Sequence, residues 1–217
     1  CNGHINIKEF PTEGSIVRNA GEDLKRGETC IYQHKKLTAS DLGLLASVGT
    51  SSIKIYDKPK VTIFSTGDEV KNPSEQLSFG QIYDSNRFTL SAMLRKMGME
   101  IIDIGIIPDD PKILKKVLKE ASFHSDVLIS TGGVSVGDRD QIKKVLKEIG
   151  KILFWKIKIK PGRPFTFGTI DKCLYFGLPG NPVSAMITFS QFVSPSLNKL
   201  SGGTPKNNFL IKAKATK

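Results

Sequence analysis

The sequence predicts an α/β domain with a mainly parallel sheet and helices on both faces, preceded by a mixed segment over residues 1–57. Three observations point there. From Lys60 onward, short apolar runs alternate with amphipathic runs of helical spacing. The apolar runs are strand-length, and that strand–helix alternation is the pattern of a parallel sheet covered on both sides. Before Lys60 the pattern differs: Gly14, Gly21 and Gly27 punctuate short segments with no evident core of their own.

Within residues 1–57, Leu42–Gly49 reads as a short helix stopped by glycine, and Ser52–Tyr56 alternates like a strand. Lys58-Pro59 marks a boundary. The domain over 58–200 then opens on a strand at Val61–Ser65. A helix follows over Asn86–Met97, with Phe88, Leu90, Met93, Leu94 and Met97 at helical spacing and Gly98 as its stop. Glu100–Ile107 is strand-like. Pro111–Ala121 is amphipathic, with Ile113, Leu114, Val117 and Leu118 on one face. Asp126–Ser130 is a strand, and Gln141–Ile149 a helix with Ile142, Val145, Leu146 and Ile149 inward. Three strand-like runs, Ile152–Lys160, Phe165–Thr169 and Leu174–Phe176, follow in quick succession, and a helix over Pro182–Leu200 closes the unit. Residues 201–217 read as a linker, Gly202-Gly203-Thr204-Pro205, and the start of a further strand. The chain opens on Cys1 rather than Met, so it reads as a piece of a longer protein.

Composition narrows the function classes. The 217 residues carry 32 Lys+Arg against 21 Asp+Glu, a net charge of +11, and are 39% hydrophobic. That is too apolar and too periodic for a disordered segment. No apolar run nears the roughly 20 residues that span a bilayer, so a membrane partner is not expected. Many lysines lie on helix faces, as in Lys115, Lys116 and Lys119, and no basic run is interleaved with aromatics, so no nucleic-acid partner is expected either. Cys1, Cys30 and Cys173 are few, odd in number and far apart, without zinc-type spacing, which suits a reducing cytoplasmic compartment.

In an open parallel sheet, ligands bind outside the carboxyl ends of the strands. Those ends carry Thr66-Gly67-Asp68-Glu69, Pro108-Asp109-Asp110-Pro111, Thr131 to Asp140, and Gly177 to Pro182. Small, hydroxylated and acidic residues concentrate there. The loop with Gly132, Gly133 and Ser135 lets backbone N–H groups approach a ligand, and a phosphate or other oxyanion suits it, although a turn needing glycine torsions reads the same way. It is not a Walker loop, because no Lys follows its last Gly. Asp110 before Pro111 is most simply a helix cap; Asp140, and Asp84 with Ser85, could cap the helices they precede. Asp109, Asp68 and Glu69 have no such role. Several carboxylates beside an anion loop suggest Mg²⁺ bridging phosphate oxygens. Finally, alternation from Trp155 puts Lys156, Lys158 and Lys160 on one strand face, before a stiff Pro161-Gly162-Arg163-Pro164 turn. This is either an edge strand guarded by lysines or a cationic wall for a multiply charged anion.

Six segments in order resemble the molybdopterin molybdenumtransferases, the group that includes the E domain of gephyrin. They are S-T-G-D-E at 65–69, G-Q-I-Y-D-S-N at 80–86, G-I-I-P-D-D at 105–110, T-G-G-V-S-V-G at 131–137, K-P-G-R-P at 160–164 and L-P-G-N-P-V-S at 178–184. The resemblance covers nearly the whole chain. It implies a molybdopterin-binding α/β domain, a preceding β-rich domain and a truncated C-terminal β-barrel in an elongated homodimer. It implies insertion of molybdenum from molybdate into adenylylated molybdopterin with release of AMP, requiring Mg²⁺ or Zn²⁺. An adenylyltransferase built on the same domain, or a non-catalytic gephyrin-like scaffold, remain the alternatives. By motif, Glu69, Asp109 and Asp140 become the functional acids and metal ligands. Thr66, Gly67, Asp68, Gly132, Gly133, Ser135, Lys156, Lys160, Pro161, Gly162, Arg163, Pro164, Gly180, Asn181 and Pro182 become substrate-binding residues. Arg18 and Asp23 resemble residues that complete the cleft from a neighbouring domain or subunit. Two departures stand out: Arg163 replaces the family's more usual Lys, and Gly137 is followed by Asp138 rather than Glu.

Overall fold

We describe a computed structural model, which describes residues 3, 5–133, 141–204 and 213. Its two compact units are residues 1–53 and 54–217. The division falls just before the expected Lys58-Pro59 boundary, because Tyr56 packs against Gly202: a Cβ on that glycine would lie 2.1 Å from the Tyr56 ring.

Among the described residues of the first unit, the regular element is α1 (Ala39–Ser47). It begins earlier than the apolar pattern suggests because Thr38 and Asp41 form a reciprocal capping box. Hydrogen bonds from the Lys35 ammonium and from Thr38 hold the Asp41 carboxyl down to about 2. The strand expected over Ser52–Tyr56 is not formed, and no strand forms among the described residues before Lys60. Alternation alone does not make a strand: Ile53 and Ile55 are exposed and 52–56 joins no ladder.

The second unit holds β1 (Lys60–Thr66), β2 (Val70–Lys71), β3 (Ile82–Tyr83), α2 (Asn86–Met97), β4 (Glu100–Ile107), α3 (Pro111–His124), β5 (Val127–Thr131), α4 (Gln141–Ile149), β6 (Lys151–Lys156), β7 (Pro164–Ile170), β8 (Cys173–Leu178), α5 (Pro182–Thr188) and α6 (Ser194–Leu200). Six strands form one sheet in the order β4-β1-β5-β8-β7-β6. Strands β4, β1, β5 and β8 are mutually parallel; β7 runs against β8, and β6 against β7. Five strands therefore point the same way, with β7 reversed.

The strands sort their side chains between two cores. On one face Val61, Ile63, Val127, Ile129, Phe176 and Leu178 meet Leu90 and Leu94 of α2 and Ala185, Phe189 and Leu197 of the C-terminal helical segment. On the other, Phe64, Leu128 and Tyr175 meet Leu114 and Leu118 of α3 and Ile142, Val145 and Leu146 of α4. Cover on both sides explains why β1, β5 and β8 are buried along nearly their whole length, with their hydroxyl residues buried as well.

Three local features depart from the sequence pattern. The helix expected over Pro182–Leu200 is interrupted by a π-helical turn at Phe189–Val193, next to Pro195, which has no N–H for an α-helical bond. A bulge in β4 sets Ile63 opposite Asp103 but Ser65 opposite Ile106, around Gly105 at φ 79°. The strand expected to reach Lys160 ends at Lys156, because β7 begins opposite it at Pro164, another residue without a donor. Residues 157–163 are therefore a connecting loop, although exposure still alternates along Ile157–Lys160.

Candidate functional site

Strand directions decide where the polar segments go. The carboxyl ends of β1, β4, β5, β8 and β6, and the start of β7, lie on one edge of the sheet. That edge therefore carries Thr66–Glu69, Pro108-Asp109, Gly132-Gly133, Gly180-Asn181 and both ends of the 157–163 loop. At β1 and β5 the chain leaves toward opposite faces, into α2 and α4. This is the switch point of a doubly wound sheet, where a crevice opens between departing loops.

The glycines are there for close approach. Gly132 (φ 80°) runs against β1: a Cβ would stand 2.3 Å from the Thr66 carbonyl oxygen. On Gly133 (φ 63°) it would be 2.4 Å from Thr66 Oγ1 and 2.7 Å from Ile142 Cδ1. Gly180 comes next, its would-be Cβ 3.9 Å from Gly132 Cα. The Gly132 backbone thus packs directly on the end of β1, with Gly180 close beside it, the kind of backbone approach that amide-lined anion sites require. Ser135 and Asp140 lie outside the described residues.

Asn86, the first residue of α2, joins two of these segments. Its amide donates to Thr131 Oγ1 and to the Gly180 carbonyl, both at 2.8 Å. Next to it Arg87 is buried and donates to Asp84 at 2.9 Å, to both oxygens of Asp103 and to Asn72 Oδ1 at 2.7 Å. Burial by itself would lower the guanidinium pKa, but the bonds and charges of Asp84 and Asp103 raise it overall. This network pins the 67–84 flap and β4 to α2. The capping expectation for this helix holds in altered form: Ser85 makes no cap bond, and Asp84 Oδ1 accepts the Arg87 N–H at 3.1 Å. Asp110 does cap α3, accepting from Lys112 and Ile113 N–H.

Asp109 is half-buried. Burial, then the charges of Asp68 and Glu69, push its carboxyl above the ordinary range, with the Thr66 hydroxyl pulling the other way. The expected acids Asp68, Glu69 and Asp109 are therefore within electrostatic reach of one another. Gly67 (φ 131°) leaves room for the Glu69 carboxylate, which folds back to 2.8 Å from where a Cβ would sit. A recess of about 260 Å³ beside them is lined by Gly67, Asp68, Lys71, Asn72, Ile106 and Pro108 among others. Among the described residues no three of His, Cys, Asp and Glu are grouped closely enough to hold a metal ion. The expected ligand set of Glu69, Asp109 and Asp140 extends beyond those residues.

The cationic segment meets the rim from the β6–β7 side. Lys156, Lys160 and Arg163 are exposed, with no ion pair among the described residues. Gly162 (φ 112°) is pressed onto α5, where a Cβ would lie 2.6 Å from Thr188 Cγ2. This draws the Pro161–Pro164 turn against the helix that Asn181 begins. Asn181 itself caps α5, accepting from Ser184 N–H at 3.1 Å, with Pro182 in the first turn. Arg18 and Asp23, in the first unit, form an exposed ion pair at 2.6 Å.

Asn86 and Arg87 are the residues that site reasoning from sequence missed. Asn86 closes the G-Q-I-Y-D-S-N segment and Arg87 follows it. Asn86 sits inside a helix start whose cap position is Ser85, and that misplacement of a capping residue type was the available signal.

Comparison with known proteins follows the same outline. A family model described as "Probable molybdopterin binding domain" matches residues 62–199. Molybdopterin molybdenumtransferase of Haemophilus influenzae is 45% identical over 200 residues, 92% of this chain and 50% of that protein. Gephyrin of Dictyostelium discoideum is 35% identical over 94% of this chain and 32% of its own length. The crystal structure of a molybdopterin biosynthesis MoeA protein from Pyrococcus horikoshii superposes with a TM-score of 0.74 at 34% identity, covering 84% of this chain and 45% of that one. The chain spans about half the length of the molybdenumtransferases it matches. Matched by that family model over residues 62–199, most of its second unit, this chain belongs to the molybdopterin-binding domain family.

Proposed function

We propose that this chain is the central part of a molybdopterin molybdenumtransferase, a cytoplasmic enzyme that acts as a homodimer. It takes adenylylated molybdopterin and molybdate, places molybdenum at the dithiolene and releases AMP. The observation that carries this reading is the shared rim. Glycine-lined backbone, crowded carboxylates and exposed cations, far apart in sequence, lie along one edge of the sheet, the carboxylates after β1 and β4 and the cations between β6 and β7.

Each part has a task in that chemistry. Backbone N–H groups around Gly132-Gly133 and Gly180-Asn181 hold phosphate oxygens, which need donors at close range. Lys156, Lys160 and Arg163 gather oxyanions; Arg163 offers a planar fork where an ammonium would be a point charge. Asp109 and Glu69, with Asp140, would hold Mg²⁺ or Zn²⁺, and the crowding that raises Asp109 is the kind that a hard divalent cation relieves. Bound there, the cation supplies charge neutralisation at the pyrophosphate. The half-buried setting of Asp109 weakens solvent screening of its own charge.

The test is a binding footprint on the full-length protein, read by amide chemical shifts or by soaked crystals. AMP is expected to perturb Gly132, Gly133 and Gly180, and molybdate to perturb Lys156, Lys160 and Arg163. Ligands that settle away from this rim would remove the reading.

A further inference from the structure

We infer that Asn86 is a positioning residue that sets the spacing between the glycine loops after β5 and β8, and so presents their amides together to one phosphate-bearing ligand. The inference rests on the phosphate-binding reading above and adds a residue that the reading does not use.

The geometry assigns both amide hydrogens. Gly180 O can only accept, so the nitrogen of Asn86 must face it; the second hydrogen goes to Thr131 Oγ1. Oδ1 is then left buried without a partner among the described residues. An unpaired buried acceptor is costly, so the arrangement persists only where the two donated bonds outweigh it. One side chain thereby fixes the last residue of β5, just before Gly132-Gly133, and the carbonyl just before Asn181-Pro182. Gly180 and Gly132 face each other closely enough that a Cβ on Gly180 would touch Gly132 Cα at 3.9 Å, so a small shift of either loop changes the gap that a phosphate would span. Asn86 is itself buried.

Asn86→Asp and Asn86→Ala in the full-length protein test this, with urea midpoints measured alongside. Asp keeps the shape but offers an oxygen to Gly180 O; Ala offers nothing. The KM for adenylylated molybdopterin and the Kd for AMP are expected to rise at least ~10-fold, with kcat changed less than about threefold and molybdate affinity unchanged. A general loss of structure would weaken both ligands alike, and that result overturns the inference. So do variants that bind AMP as the wild type does. Should neither variant fold, amide hydrogen exchange in the wild type decides: AMP should slow exchange at Gly132-Gly133 and Gly180-Asn181 together, and protection of one loop alone refutes the coupling. A wild-type protein that neither binds AMP nor releases it would instead defeat the functional reading itself.

Discussion

Replacing Gly132 with Ala should damage the fold, whereas Gly180→Ala should not. The new methyl of Gly132→Ala would sit 2.3 Å from the Thr66 carbonyl oxygen, about 1 Å inside ordinary contact. That oxygen is backbone at the end of a central strand, and Ser65 is in register with Thr131, so neither segment can retreat alone. Overpacking of this kind costs about 1–3 kcal/mol. A side chain at φ 80° adds roughly 1 kcal/mol. The sum, about 2–4 kcal/mol, should lower the melting temperature by roughly 5–15 °C in a protein of this size. At Gly180 the methyl would meet nothing nearer than 3.9 Å, and φ is not in the left-handed region, so the change should stay within about 0.5 kcal/mol. Urea unfolding followed by far-UV circular dichroism compares both with the wild type. Equal midpoints for Gly132→Ala and the wild type would refute the backbone-on-backbone packing from which the anion site is argued.

Other outcomes follow from the same geometry. Arg87→Met should destabilise by about 3–5 kcal/mol, because it leaves the buried Asp84 carboxylate without its cation; adding Asp84→Asn should recover part of the loss in urea unfolding. Asp109→Asn, in chelator, should raise thermal stability at neutral pH. The folded carboxyl is raised above its unfolded value, so the ionised form opposes folding as pH rises, and the gain should vanish as pH falls through the carboxylate range. Cys173 is buried, its thiol pushed up to about 12 by burial, so it should resist thiol reagents at pH 8 until the protein unfolds, while the partly exposed Cys30 reacts in the native state.

Legibility in the sequence tracked how local the cause was. Elements set by period and caps were readable: α2 runs from Asn86 to Met97, where the spacing placed it, and Asp110-Pro111 announced the start of α3. The rim was readable because parallel strands carry their loops to one edge, whatever the details. Features set by distant partners were not. Ser52–Tyr56 alternates like a strand but joins no ladder. The lysine strand stops at Lys156 because of where β7 starts. The π turn before Pro195 is a choice of hydrogen-bond register that apolar spacing does not encode. Asn86 and Arg87 were hidden for the same reason: Thr131, Gly180 and Asp103 are remote in sequence and meet them only in the folded sheet.

The most direct measurement is molybdate-dependent AMP release by the full-length protein, supplied with adenylylated molybdopterin and Mg²⁺. Release that needs molybdate, and that Asp109→Asn abolishes in a folded protein, is the predicted result. No AMP above background, or undiminished release from Asp109→Asn, would contradict the account.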